Sequence, residues 1–303
     1  MGTPDFAVPA LRSLSDAYEV IAVYTKLDKP AGRGRKVAVS AVKQEAIGRG
    51  FAVREPKSLR PAEVVAEIKA LRPELIVVAA YGLILPQAVL DIPPHGCINV
   101  HASLLPHFRG ASPIAGALLA GERETGITLM LMEAGLDTGP ILAQRAIPIE
   151  AADNTGTLEA KLSRMGAELL AETLPRWLEG AIIPQPQDDG LATITRLIQK
   201  ADGKIEWSET ATTIVRTIKA FTPWPGAYTE WNGQPLKLLG AAERDDAGSP
   251  GLVVKLGGTV LVGSGKGSVE ITELQAAGKR AMGAADFLRG RPEFVGAQLG
   301  PAR

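Results

Sequence analysis

Two side chains suited to acid–base chemistry lie two positions apart at the end of a short apolar segment. Residues 97–100 are apolar except for Asn99, and His101 follows them. Proline and glycine on both sides of this segment predict a buried strand that ends in a loop. Because alternate residues of a strand point to the same side, the spacing places the Asn99 amide and the His101 imidazole on one face.

A carboxylate is the third candidate, since Asp137 lies in the glycine-flanked turn of residues 135–139. An amide, an imidazole and a carboxylate that converge in a cleft poor in water can bind an oxyanion and move a proton. Taken alone, each residue is more typical of a structural role: Asn99 of a turn, His101 of a half-buried side chain and Asp137 of a turn or cap. The grouping, rather than any one residue, favours the catalytic interpretation.

A zinc site is the alternative for this part of the chain. The three histidines (His95, His101 and His107) and the single cysteine, Cys97, lie within one short window. Paired cysteines and the His-Glu-x-x-His spacing typical of zinc sites are missing from the sequence. We therefore expect no metal.

Composition narrows the class of protein. The chain has 303 residues, 46% of them hydrophobic, which is enough for two domains with their own cores. It has no apolar run of membrane-spanning length and no basic and apolar leader, and one cysteine cannot form an internal disulfide. We expect a cytoplasmic protein. The net charge of zero does not indicate a nucleic-acid-binding protein.

The elements that must position the candidate residues alternate between strand and helix. We predict strands at 18–24, 51–54, 75–80, 97–100, 125–132 and 140–149, and helices at 42–48, 61–71, 112–120 and 154–177. This alternation predicts an α/β fold with a doubly wound, mostly parallel, Rossmann-like sheet. Ligands of such sheets bind beyond the carboxyl ends of strands, so residues 81–86 and the Asn99 segment should open on the same edge.

The start of the chain departs from this pattern. Residues 1–7 are typical of a strand end that turns into a helix, yet only Met1 precedes the turn. We therefore expect the first strand of the sheet to be missing from this chain, because the sequence starts a few residues too late or is truncated. Such a loss would remove a buried partner from the sheet.

The character of the sequence changes near residue 182. Proline, aspartate and polar residues over 182–199 predict a linker. A helix over 211–220 and closely spaced short strands punctuated by glycine and asparagine then predict a small, OB-like β-barrel. We expect Trp224 and Trp231 to lie in its core.

The motifs resemble those of one family, the folate-dependent formyltransferases. The resemblance rests on residues 99–106, 109–110, 113–114, 126–128 and 135–139. It implies that the formyl donor is 10-formyltetrahydrofolate, that protonated His101 and the Asn99 amide stabilise the developing negative oxygen, and that Asp137 orients His101 and carries a proton. It also implies a folate pocket formed by these residues: Ser103, Leu104, Leu105, Pro106, Gly82, Leu83, Ile84 and Leu85.

A basic segment bears on the acceptor. Residues 26–36 carry five positive charges against Asp28, and composition alone predicts an irregular, solvated loop. Residues 29–34 resemble the insertion of the methionyl-tRNA formyltransferases within the family. This resemblance implies a monomeric bacterial enzyme that formylates methionyl initiator tRNA for translation initiation. The tRNA-binding residues would be Lys29, Arg33, Arg35 and Lys36, with a catalytic domain at 1–181, a linker at 182–199 and a tRNA-contacting domain at 200–303.

Three alternatives stay open at this stage. The same chemistry can act on glycinamide ribonucleotide, which the basic insertion and the second domain disfavour. It can also act on a nucleotide-linked amino sugar, and some such enzymes carry a C-terminal domain as well. A non-catalytic protein that binds tRNA or folate is disfavoured by the intact set of Asn99, His101 and Asp137.

Overall fold

The computed structural model describes residues 1–31 and 36–300, with the backbone alone for 29–31 and 36–38. Contacts divide the chain into two units. The first comprises Met1–Pro113, Glu124–Pro148 and Glu159–Thr195, and the second comprises Ile114–Arg123, Ile149–Leu158 and Arg196–Arg303.

A mixed sheet forms the centre of the first unit. The strands of the first unit are β1 (Val23–Tyr24), β2 (Lys29–Ala31), β3 (Lys36–Ala38), β4 (Val53–Arg54), β5 (Ile76–Val78), β6 (Cys97–His101), β7 (Arg109–Gly110), β8 (Glu124–Leu131), β9 (Ile141–Pro148) and β10 (Ile194–Thr195). Strands β1 and β4 pair in parallel, and the larger sheet has the order β5-β6-β8-β9. Strand β5 runs parallel to β6, whereas β6, β8 and β9 are antiparallel. The predicted α/β sheet is confirmed, with an antiparallel half that the alternation of elements did not indicate.

The helices before residue 180 are α1 (Val8–Ala17), α2 (Ala41–Gly48), α3 (Ala62–Ala70), α4 (Gln87–Leu90), α5 (Pro113–Ala120) and α6 (Thr155–Leu178). Nearly all of α5 belongs to the second unit, whereas α6 belongs to the first unit from Glu159 on. The predicted apolar stripe of α6 is buried, including Leu162, Leu170 and Leu174. A Cβ added at Gly166 of α6 would lie 2.8 Å from Val100 Cγ1, so the helix packs closely on β6.

Met1 and Gly2 take the place of a strand between β1 and β5. The amide of Gly2 donates to Tyr24 O, the amide of Ala79 donates to Met1 O, and Gly2 and Ala79 form a parallel bridge. Beside these two residues lies a largely apolar cavity of about 450 Å³, lined in part by residues 20–23 and 75–77. That the first strand is missing stays a prediction.

In a chain that begins at Met1, the buried amino group of that residue makes stability depend on pH. It donates to Val77 O over 2.7 Å, and desolvation by burial lowers its pKa from 8.0 to about 5. Between pH 5 and 8 the unfolded chain therefore holds this proton more strongly, so the free energy of unfolding should rise with pH by about 4 kcal/mol, at roughly 1.4 kcal/mol per pKa unit. Urea unfolding at stepped pH measures this, in the chain with a free α-amino group and in the same chain acetylated there. The acetylated chain should lose this contribution, and identical pH slopes for the two chains would contradict the prediction.

The basic segment contains a hairpin rather than the irregular loop predicted from its composition. Strands β2 and β3 pair antiparallel, with Lys29 opposite Ala38 and Ala31 opposite Lys36. The two strands pair through their backbones although Pro30 and several lysines lie in or beside them. Arg33 and Arg35 lie outside the described residues, as do the side chains of Lys29 and Lys36.

The segment predicted to be a linker, 182–199, takes part in the first unit up to Thr195. Within it, β10 pairs in parallel with β7, matching Ile194 with Arg109 and Thr195 with Gly110. Gln185 exchanges two backbone hydrogen bonds with Ile141. The segment thus adds structure next to the loop that follows β6.

The second unit is mostly strands. It contains α7 (Ala211–Ala220), β11 (Ala227–Trp231), β12 (Gln234–Arg244), β13 (Val253–Leu256), β14 (Thr259–Gly263), β15 (Ser268–Ala276), β16 (Met282–Gly283) and α8 (Ala284–Gly290). Strands β11–β16 form an antiparallel sheet in the order β11-β12-β15-β14-β13, with β16 on β15. Trp231 packs against the core, as predicted. Its ring lies edge to face with the rings of Phe287 and Phe294. The prediction for Trp224 is wrong, since its side chain is 58% exposed.

None of the helices within residues 1–31 and 36–300 combines the length and apolar character that crossing a membrane requires.

Candidate active site

The side chains of strand β6 point to alternate sides of the sheet, as the sequence predicts. Val100 points toward α6, where it lies against Gly166, while Asn99 and His101 point to the other side. The register pairs Val78 at the end of β5 with Asn99, so the loops that follow both strands open on the same edge. The fold therefore delivers an amide and an imidazole to the carboxyl end of the parallel pair.

The side chains of Asn99 and His101 both lie next to the carboxylate of Asp137. Its Oδ1 accepts from Asn99 Nδ2 at 3.3 Å, its Oδ2 accepts from Gly110 N at 2.8 Å, and the same oxygen lies 3.7 Å from His101 Nδ1. Asp137 has a φ of 53°, a left-handed conformation that aspartate tolerates better than most residues. The turn also depends on Gly139, because a Cβ there would lie 1.8 Å from Leu131 O.

The imidazole of His101 is buried between two acceptors. Its Nε2 lies 3.2 Å from Phe108 O, and its Nδ1 faces Asp137, with 6% of the residue exposed. Burial lowers the pKa of His101 below its ordinary value, while the Asp137 charge and the Phe108 carbonyl raise the pKa and offset part of that effect. Desolvation thus disfavours the protonated His101 that the family resemblance implies, although both neighbours favour it. Burial is the largest of these effects, so the structure favours the neutral form of the His101 ring.

The loop after β6 is held by residues that the sequence did not single out. Thr128 Oγ1 accepts from Leu105 N and donates to Ser103 O, and Gln144 Nε2 donates to Leu105 O. Ser103 is fully buried, and its hydroxyl donates to His107 O. The side chains of Ser103 and Leu105 are therefore buried inside the loop, whereas Leu104 and Pro106 are partly exposed. The register of β8 and β9 pairs Thr128 with Gln144, and so places both side chains beside this loop.

Residues 81–85 follow β5 toward the same edge. Ile84 is 73% exposed, whereas Leu85 is buried. Gly82 has a φ of 75°, and a Cβ there would lie 2.3 Å from Lys26 Nζ, so the Lys26 ammonium lies over this turn. An apolar surface with a cation beside it suits a flat, polar-edged ligand.

A second hydrogen-bonded network, which runs from buried Arg109 through half-buried Gln187, supports Asp137 from behind. Gln187 Nε2 donates to Asp137 O at 2.8 Å and to Gly139 O at 2.7 Å. Gln187 Oε1 accepts from Arg109 Nε and Nη2, and Arg109 Nη2 also donates to Asp189 Oδ1 at 2.7 Å. Arg109 is buried, so its charge is compensated within this group. Nothing in the local pattern of 182–199 indicated this part.

Two family models match nearly the whole chain. One, described as "Formyl transferase", matches residues 2–174, and the other, described as "Formyl transferase, C-terminal domain", matches residues 197–292. This chain belongs to the formyl transferase family. The resemblance noted in the motifs around Asn99 and Asp137 is thereby confirmed at the level of the family.

Curated members of this family extend the similarity over the full length. The chain is 46% identical to a protein named methionyl-tRNA formyltransferase from Trichlorobacter lovleyi, over 99% of this chain and 96% of that protein. Proteins of the same name from Geobacter sulfurreducens and a Roseiflexus species are 46% and 47% identical over 100% of this chain and 96% and 94% of their own lengths.

Solved structures of the family share the fold at lower identity. The N-formyltransferase from Helicobacter canadensis matches 91% of this chain and 97% of its own, with a TM-score of 0.65 and 18% identity. The methionyl-tRNA formyltransferase from Clostridium thermocellum matches 73% of this chain and 86% of its own, with a TM-score of 0.51 and 19% identity. At such identities these structures support the fold alone.

The metal alternative concerned the window that contains the three histidines and Cys97. Within the described part of the chain, no group of three or more His, Cys, Asp or Glu side chains is arranged to hold a metal ion. Desolvation by burial raises the pKa of the Cys97 thiol to about 12.

Proposed function

We propose that this formyl transferase moves the formyl group of 10-formyltetrahydrofolate to the α-amino group of methionyl initiator tRNA. The observation that carries the proposal is the convergence of Asn99, His101 and Asp137 at the carboxyl edge of the sheet. Full-length identity of 46% to proteins named methionyl-tRNA formyltransferase supports the choice of acceptor over amino sugars and glycinamide ribonucleotide.

The chemistry is an acyl transfer with one proton to relocate. The uncharged amine attacks the formyl carbon, a C–N bond forms, and the formyl oxygen gains negative charge. An N–H of Asn99 and the ring of His101 stabilise that oxygen, a contribution of about 3–4 kcal/mol per donor in comparable sites. Negative charge next to the imidazole raises the pKa of His101, so protonation of the ring becomes more favourable as the oxygen develops.

Asp137 completes the transfer. Its carboxylate accepts the proton from the attacking nitrogen and returns it to the folate nitrogen as the bond between that nitrogen and the formyl carbon breaks. The electron pair of the broken bond stays on the folate nitrogen, so the reaction needs neither a covalent enzyme intermediate nor a redox step. The amide of Gly110 holds Asp137 in position.

The folate lies against the loops that follow β5 and β6. The edge is formed by residues 82–85 on one side and residues 103–106 on the other, with exposed Ile84 as an apolar contact. The structure of HypX from Aquifex aeolicus was solved in complex with tetrahydrofolic acid, and it covers 82% of this chain with a TM-score of 0.59. That protein shares the fold, at 22% identity.

The basic hairpin and the second unit supply the tRNA contacts. Lys29, Arg33, Arg35 and Lys36 contact phosphates, which position a nucleic acid without reading its sequence. The proposed division is a catalytic domain (1–181), a connecting segment (182–199) and a tRNA-contacting barrel domain (200–303), and the two family models match residues 2–174 and 197–292. On this proposal the protein acts as a monomer in the bacterial cytoplasm.

The test is transfer of labelled formyl from 10-formyltetrahydrofolate to methionyl initiator tRNA, with methionyl elongator tRNA and a nucleotide-linked amino sugar alongside. The initiator tRNA alone should be formylated. Transfer to the sugar alone, or to no acceptor by folded protein, would contradict the proposal.

The same assay at stepped salt tests the hairpin. Replacing Arg33 with alanine should weaken use of the initiator tRNA and reduce the slope of log affinity against log salt by about one. An unchanged slope would show that Arg33 makes no phosphate contact.

A further inference from the structure

Both acceptors that face His101 are held by one segment of the chain, residues 187–195, here called the strap. On the Nε2 side the acceptor is Phe108 O, and on the Nδ1 side it is the Asp137 carboxylate. Each acceptor belongs to a residue in the left-handed region, with φ of 59° for Phe108 and 53° for Asp137. A bulky aromatic residue rarely adopts this conformation unless its surroundings impose it.

The end of the strap imposes the conformation at Phe108. Thr193 Oγ1 accepts from Phe108 N at 2.7 Å, and Thr193 O accepts from Arg109 N at 2.9 Å. Strands β7 and β10 then pair, and Thr195 Oγ1 donates to Arg109 O. Since a Cβ at Gly110 would lie 2.4 Å from Thr195 O, the two segments approach as closely as glycine allows.

The start of the strap holds the Asp137 turn through one side chain. The Gln187 amide uses both N–H groups on Asp137 O and Gly139 O, and its oxygen accepts two hydrogen bonds from Arg109. These partners fix which end of the amide is nitrogen, because carbonyls accept and a guanidinium only donates. Gln187 is therefore linked to the turn that contains Asp137 and to the loop that contains Phe108.

We propose that Gln187 is a positioning residue for the acyl transfer, and that the strap sets the distances from His101 to the Asp137 carboxylate and to the Phe108 carbonyl. The inference rests on the proposed function of Asn99, His101 and Asp137. Displacements of about 1 Å in such a group reduce turnover by about 100-fold, because reaction requires a narrow range of geometries. Gln187 does not touch the reacting atoms, so its effect passes through Asp137.

The decisive variant is Gln187→Glu, which keeps the size of the side chain and an oxygen for Arg109. Its carboxylate cannot donate to Asp137 O and Gly139 O, and it places negative charge against both carbonyls. We expect kcat to fall by about 100-fold with unchanged KM for tRNA and folate donor, the pattern of an interaction that matters in the transition state. The limb of the pH–rate profile that belongs to His101 should move to lower pH as Asp137 shifts away.

The matched control is Gln185→Glu, two positions earlier, where the exposed amide donates to Ile183 O. It should keep the kcat and pH profile of the unmodified protein. Melting temperatures of both variants are measured alongside. Equal kcat values in Gln187→Glu and Gln185→Glu would overturn the proposal. It would also be overturned if Gln187→Glu lost activity only in proportion to its loss of folded protein, with an unchanged pH profile.

A second pair of variants tests the other end of the strap. Thr193→Val removes the acceptor for Phe108 N and should lower kcat, whereas Thr193→Ser retains a hydroxyl and should restore it. An Asp137→Asn variant with normal turnover would refute the proposed active site itself. An inactive Asp137→Asn variant combined with normal turnover of Gln187→Glu and Thr193→Val would refute the positioning role alone.

Discussion

The His101→Ala variant should form formylmethionyl-tRNA about 10²–10³-fold more slowly than the unmodified protein, with tRNA affinity unchanged. His101 is buried at the edge of the sheet and contacts the Asp137 carboxylate and the Phe108 carbonyl, so its loss removes a donor from the place where charge develops. Single-turnover rates with saturating folate donor measure the chemical step, and filter binding measures tRNA affinity.

The control is His107→Ala, which removes an imidazole from the same loop. His107 is exposed and its ring packs at 6.3 Å from that of Phe108, so its removal leaves the His101 contacts in place. Its single-turnover rate should match that of the unmodified protein. Comparable single-turnover rates in His101→Ala and His107→Ala would refute the assigned role of His101.

The Asp137→Asn variant should lose about 10²–10⁴-fold in turnover, because the group that relays the proton can no longer ionise. The substitution also replaces the carboxylate by an amide. The carboxylate oxygens of Asp137 accept hydrogen bonds from two donors, Asn99 Nδ2 and Gly110 N. One of those donors then faces another N–H, which adds a local cost to the loss of charge. The same single-turnover assay across pH 5–9 measures both effects.

The direction of the pH effect follows from the His101 environment. The Asp137 charge raises the pKa of His101 against the lowering effect of burial, so neutralising it lowers that pKa further. Turnover that depends on protonated His101 falls as pH rises through its pKa, so in Asp137→Asn this fall should begin at lower pH. Glu133→Gln, which neutralises an exposed carboxylate before the same turn, should leave the profile unmoved. A shift to higher pH in Asp137→Asn would contradict the assigned coupling.

The sequence by itself determined the candidates and the elements that carry them. The two-residue spacing of Asn99 and His101 places both side chains on one face of β6, and the apolar stripe over 154–177 buries α6 on the other. Such patterns are local, since the pleat of a strand and the turn of a helix relate neighbours along the chain. The family also followed from short motifs read in order.

Only the tertiary structure decided the electrostatics and the supports of the site. The lowered pKa of His101 comes from desolvation, which depends on everything packed around the ring and not on its neighbours in sequence. The segment over 182–199 has the composition of a linker, yet Gln187 meets Asp137 across 50 residues. A glutamine in a polar segment has no local signature of its partners, because hydrogen bonds between distant segments exist only once the chain has brought them together.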